Sequence, residues 1–213
     1  GSKGKVNALK TFNNEIYCFQ DTGISNILFN SRVQIPASDG VPIEISNGYK
    51  VDGKRYLSGS IGCKNKWSIA ESPRGLYFVD SDSSSIYVIG NGLTSLSAQY
   101  GFEQWAKENC SKDFFRTYYD KNYGDVYFTT DETSLCFSER LDTFTSFMSY
   151  GNTPAMFNVG NSFYAIAGIG GGPYSPRLWK QFEGVYNQFF GVTQPYSLTF
   201  ICNQDEPYDK IFN

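Results

Sequence analysis

A short ribbon that occurs four times constrains this chain more than any other feature. In "LYFVDSDSSSIYVIGNG", residues 76–92, the apolar runs Leu76–Val79 and Ile86–Ile89 flank an Asp/Ser stretch. Side chains of that kind bond their own backbone in turns. Two such runs about a polar connection read as a β-hairpin. Their near-continuous apolarity predicts strands covered on both faces. The pattern recurs in "NNEIYCFQDTGISNILF", in "NYGDVYFTTDETSLCF" and, with a longer Gly-rich loop, in "VGNSFYAIAGIGGGPYSPRLWKQF". Each copy runs from a turn residue through an apolar residue to a tyrosine, at positions 17, 77, 127 and 164, so the intervals are 60, 50 and 37 residues.

Periods of this size mark arrays of supersecondary units, and blades of about four strands are the all-β case. A strand is predicted ahead of each hairpin, at Val6–Phe12, Trp67–Ala70, Phe114–Tyr119 and Ala155–Val159, and behind three of them, at Leu93–Ala98, Thr143–Tyr150 and Val185–Phe190. Residues 33–62 read as an extra hairpin or excursion in the first unit. "GFEQWAKENC", residues 101–110, predicts one short helix with Phe102, Trp105 and Ala106 on one face. The expected fold is all-β, an irregular β-propeller or part of one with about four hairpin-based blades; the alternative is a β-sandwich or jelly roll. Residues 5–203 are read as one propeller-like domain, Gly1-Ser2 as a remnant of cloning, and residues 204–213 as a linker toward a following domain.

Composition then narrows the chemistry. With 213 residues, the chain can bury a sizeable core without disulfide or metal support. Its 16 Tyr and 18 Phe suit pleated surfaces. A net charge of −3 offers no footprint for nucleic acid or anionic lipid. Histidine is absent, which removes the usual neutral-pH base, the commonest metal ligand and any Ser-His or Cys-His pair. Cys18, Cys63, Cys110, Cys136 and Cys202 show no CxxC spacing and are read as reduced thiols. No apolar stretch approaches the ~20 residues that span a bilayer.

Motifs that imitate chemistry do not complete it. Asp80, Asp82 and Ser84 resemble the start of a calcium loop but lack its Gly and closing Glu, so they read as a solvated hairpin tip. "GIGGGP", residues 168–173, misses the dinucleotide spacing and reads as a flexible loop. Asp120 with Asp125, and Asp131 with Glu132, are the carboxylates that could pair as in a glycosidase. The reading is non-enzymatic, with no catalytic, cofactor or metal residues. Tyr49, Tyr56, Tyr123, Tyr174 and Tyr196 are the aromatics that could anchor a protein partner or stack on a glycan. For each of them, packing between blades is the competing role.

The "GLYFVDSDSSSIY" hairpin, the "LSxxxGFxxW" helix start and the closing "SLTFICNQDEPYDKIFN" carry a family likeness. Over residues 8–110, and more loosely beyond, the chain resembles very large structural proteins of crAss-like bacteriophages of gut Bacteroidales, of the tail or muzzle virion type. That resemblance implies a β-rich module of a virion tail component, made in the host cytoplasm and assembled with copies of itself or neighbouring virion proteins. A carbohydrate-binding propeller for host surface glycans is the alternative. No catalytic residue is carried over, because the likeness contains no catalytic motif.

Overall fold

The computed structural model describes residues 2–29, 51–171 and 175–199, together with the backbone of 32–35 and 43–46. It is built of consecutive antiparallel sheets. The first contains β1 (Val6–Phe12), β2 (Glu15–Gln20) and β3 (Gly23–Phe29). A separate ribbon of β4 (Arg32–Ile35) and β5 (Ile43–Ser46) follows, and the chain then returns as β6 (Val51–Ser58) beside β3. The excursion expected over 33–62 is therefore real, and it also supplies the fourth strand. The second sheet is a meander of β7 (Ile69–Glu71), β8 (Leu76–Asp80), β9 (Ser85–Ile89) and β10 (Leu93–Ser95). The third runs β11 (Arg116–Asp120), β12 (Asp125–Thr129), β13 (Ser134–Ser138) and β14 (Thr143–Met148). The fourth has three strands, β15 (Ala155–Val159), β16 (Ser162–Ala167) and β17 (Arg177–Lys180). Last come the two-residue strands β18 (Gln188–Phe189) and β19 (Val192–Thr193), paired with each other.

The predicted edges shift for local reasons. Trp67–Ala70 opens as a 3-10 turn over Lys66–Ser68, because the Asn65 side chain accepts the Trp67 N–H. Leu93–Ala98 stops at Ser95, whose hydroxyl caps a short helix, α1 (Leu96–Gln99). The expected helix is α2 (Glu103–Asn109), and Phe102, Trp105 and Ala106 pack on the core as their spacing requires. Val185–Phe190 does not complete the fourth sheet; it yields β18 in the terminal ribbon.

Each sheet stacks on the next in chain order, and alternation along the second strand makes this possible. Tyr17 and Phe19 point forward into a cluster with Leu76 and Phe78 of the second sheet. Tyr77 and Val79, the other parity of β8, point forward onto Val126, Phe128 and Phe137 of the third. Tyr127 points forward onto Phe163, Ala165 and Ala167 of the fourth. All five residues of β8 and all five of β13 are therefore buried. An aromatic pair from neighbouring second strands centres every interface: Phe19–Phe78 at 5.2 Å, Tyr77–Phe128 at 6.5 Å and Tyr127–Phe163 at 5.8 Å between ring centroids. Such pairs add about 0.5–1.5 kcal/mol each beyond the area they bury. Helix α2 covers the second and third sheets where Phe102 meets Phe144 at 4.4 Å.

Backbone contacts at the crossings between sheets fix the stacking. The Cys63 N–H donates to the Gln20 carbonyl, and the Asn152 N–H donates to the Thr130 carbonyl. The residues just before, Gly62 and Gly151, lie so close to the previous sheet that a Cβ would overlap the carbonyls of Asp21 and Glu132. Only glycine allows that approach.

Candidate interaction surface

Stacking leaves two faces, one on the first sheet and one on the fourth, with no other sheet on them among the described residues. The back of the first sheet follows from register. Leu9, Cys18 and Ser25 lie opposite one another, as do Ile16 and Ile27, on the side away from the second sheet. Cys18, Ser25 and Ile27, with Val6, Val51 and Lys54, line a mainly apolar depression of about 380 Å³. Val51 is 70% exposed, whereas Ser25 is fully buried and its hydroxyl has no partner among the described residues. Tyr56 closes one side, its ring under the Lys54 ammonium and its hydroxyl 3.3 Å from Gln20 Oε1. The front of the fourth sheet carries Phe157 stacked on Tyr164, with Ile166 opposite Leu178. Leu178 is 63% exposed. Tyr164 thus holds the position of Tyr17, Tyr77 and Tyr127, but no further sheet lies on it among the described residues.

The first strands share a second feature. Residues of β1, β7, β11 and β15 line a single cavity of about 580 Å³ with Trp67 at its wall. Thus the first and fourth sheets meet one common space.

Titratable groups inside the array serve packing. Glu139, buried at the turn after β13, accepts the hydroxyls of Ser72 and Tyr77 at 2.5 and 2.9 Å and so ties the second sheet to the third. Burial and this carboxylate push the Tyr77 phenol well above its ordinary range. Asp120 and Asp125 face each other in register across the hairpin. Burial raises both above the usual carboxylate range, and Asp120 is wholly buried with Oδ2 unpartnered. The Tyr127 hydroxyl on the same face is also buried, with no partner among the described residues. This pair is therefore the one the sequence suggested, but with the fourth sheet stacked on that face its buried member has no access for a sugar. Asp131 and Glu132 point instead to one ammonium, Lys112, at 3.4 and 3.6 Å. Burial holds Cys63, Cys110 and Cys136 as thiols, pushed up to about 11, 12 and 11. These three and Cys18 are free; Cys202 lies outside the described residues.

The five tyrosines singled out from sequence do not converge. Tyr49 and Tyr174 lie outside the described residues. Tyr56 borders the open back of the first sheet. Tyr123 packs on Phe182 at 4.6 Å beside a separate cavity of about 470 Å³ that Tyr186 and Gln188 also line. Tyr196 is exposed near the end of the described chain. At the supposed solvated tip, Asp80 is buried and accepts the Asp82 N–H and the Ser83 hydroxyl, while Asp82 pairs with Lys64. No cluster of three or more His, Cys, Asp or Glu that could hold a metal occurs among the described residues. No described helix is long and apolar enough to cross a membrane. Sequence reasoning missed the two open faces and the Glu139 tie. The position of Tyr164 in the repeat was the available signal for one face, since a repeat unit needs a neighbour on both sides.

Comparison with known proteins places the chain in one family. The family model described as "Crassvirus muzzle protein" matches residues 1–168, and the model described as "Crassvirus muzzle protein C-terminal domain" matches residues 184–213. A muzzle protein of Bacteroides phage crAss001 is 54% identical over 221 aligned residues, covering all of this chain. The chain spans 16% of that relative's length.

Proposed function

The chain belongs to the crassvirus muzzle protein family, and from that premise we propose that it is a non-enzymatic structural and interaction module of the phage tail. On this reading it resides in the virion and assembles with neighbouring virion subunits or copies of itself. The observation that carries it is the 54% identity to a muzzle protein along the whole chain. The interior supports it: the Glu139 carboxylate ties two sheets through Ser72 and Tyr77, and burial raises the Tyr77 phenol and the Cys63, Cys110 and Cys136 thiols above their ordinary range.

The sheets are read as blades of an irregular propeller. Support comes from sheets stacked in chain order and from four first strands lining one cavity, which is the arrangement of blades about an axis. Residues 5–203 form one module in this proposal. Phe190, within the part that matches the C-terminal domain, packs on Tyr150 and Trp179, both at 5.9 Å between ring centroids. The beginning of that part is thus fixed to the fourth sheet.

Cross-linking mass spectrometry on purified virions tests the proposal. Peptides of this module linked to other tail proteins, or to a second copy, are the expected result. Recovery of the protein in infected cells but not in virions would overturn it.

A further inference from the structure

The two open faces carry the same pattern as the three closed interfaces. On β2 and β3, Ile16, Cys18 and Ile27 occupy the parity that in β8 and β12 is covered by the preceding sheet. On β16, Tyr164 and Ile166 occupy the parity that in β8 is covered by the following sheet. Alternation that buries both faces of a middle strand has thus been written into the first and fourth sheets as well, where one face has no sheet on it among the described residues. Both faces expose apolar side chains, Leu9 and Val51 on one and Leu178 on the other, and the first also holds the buried Ser25 hydroxyl, which has no partner among the described residues. Because β1 and β15 line the same cavity, the two faces flank one gap in the array.

We propose that this gap is filled by at least one further antiparallel sheet of the same polypeptide, contributed by residues that precede residue 1 in the longer family protein. The inference rests on the ring-like reading given above. Length argues for a segment of the same polypeptide, since the chain spans 16% of its crAss001 relative. Order argues for the preceding side. The family's first model matches residues 1–168, ahead of the C-terminal domain model at 184–213, so on this proposal a further sheet of the first domain lies on the preceding side. Stacking in chain order then puts an earlier sheet on the back of the first sheet, and ring closure puts the front of the fourth against the same insert.

The test uses the full-length polypeptide with a photoreactive phenylalanine derivative at Ile27 or, separately, at Leu178. Neither position adjoins residue 1 in sequence. Peptides cross-linked to both positions should come from residues before residue 1 of the same molecule, with isotope-mixed samples excluding a second copy. In the unmodified protein, Lys54 and Lys180 on these faces should acetylate at least tenfold more slowly than Lys121 on an exposed turn. That second measurement decides the matter if a photoreactive variant fails to fold. Links from Ile27 to residues 30–50, to residues after 199 or to a second copy would overturn the proposal. A link between Ile27 and the fourth sheet would overturn the inserted sheet and keep the ring. Unhindered acetylation of both lysines would overturn the ring reading as well, without touching the virion placement.

Discussion

Tyr127 and Tyr164 hold equivalent positions in the repeat and face opposite fates, which makes them a matched pair for testing the stack. Tyr127 is fully buried, edge-on to Tyr150 at 5.4 Å and stacked on Phe163 at 5.8 Å. Truncation to Ala removes a core aromatic and leaves a cavity between the third and fourth sheets, a loss of about 3–5 kcal/mol. In a chain of this size that corresponds to a melting temperature lower by roughly 6–20 °C. Tyr164 is half-buried on the open front, so Tyr164→Ala in the isolated chain should cost only about 1 kcal/mol. Tyr127→Phe separates the ring from its hydroxyl. That hydroxyl is buried with no partner among the described residues, and leaving such a group unmet costs about 1–3 kcal/mol, so the Phe variant should match or exceed the parent. Urea unfolding followed by tyrosine fluorescence and far-UV dichroism, with m-values compared, measures all three variants. If Tyr127→Ala leaves the midpoint unchanged, or Tyr164→Ala costs as much as Tyr127→Ala, the sheets do not stack as argued.

Three further outcomes follow from the buried groups. Asp120 binds its proton more tightly folded than unfolded, so its contribution is greatest at low pH and declines as pH rises from the ordinary carboxylate range through its raised folded value. Asp120→Asn should flatten that decline in urea midpoints taken between about pH 4 and 7, whereas an unchanged slope would count against it. Glu139→Ala strands the Tyr77 hydroxyl and leaves the Ser72 hydroxyl only the Gly75 carbonyl as acceptor, and should cost about 1–3 kcal/mol, with Glu139→Gln losing less because an acceptor remains. A double-mutant cycle with Tyr77→Phe that shows no coupling would dissolve the tie. Cys63, Cys110 and Cys136 should resist an aromatic disulfide reagent at pH 8 in the native protein and react in step with unfolding; prompt native labelling of any of them would contradict the packing.

Much of the architecture was legible because burial on both faces leaves a direct mark. Leu76–Val79 and Leu135–Phe137 read as continuous apolar runs, and the structure covers both sides of each. The strands Val6–Phe12 and Ala155–Val159 have the bounds expected from their patterns. Edges were less legible where a single side chain decides them, as Ser95 does by capping α1 instead of extending β10. The interaction surface was harder to read. Composition marks a tyrosine as able to anchor a partner, but only the stack shows that Tyr123 leans on Phe182 while Tyr164 faces outward. Nor does Glu139 stand out in "CFSERLD": its role depends on Ser72 and Tyr77, more than sixty residues away.

Among the described residues the aromatic cores lie between sheets that follow one another in the chain, so load passes from sheet to neighbouring sheet as through a pile of plates. Strain applied at either end is passed plate to plate, and the outermost plates, held on one side, are the first to lift. In the isolated chain an end sheet would therefore come away under load while the interior layers keep their grip.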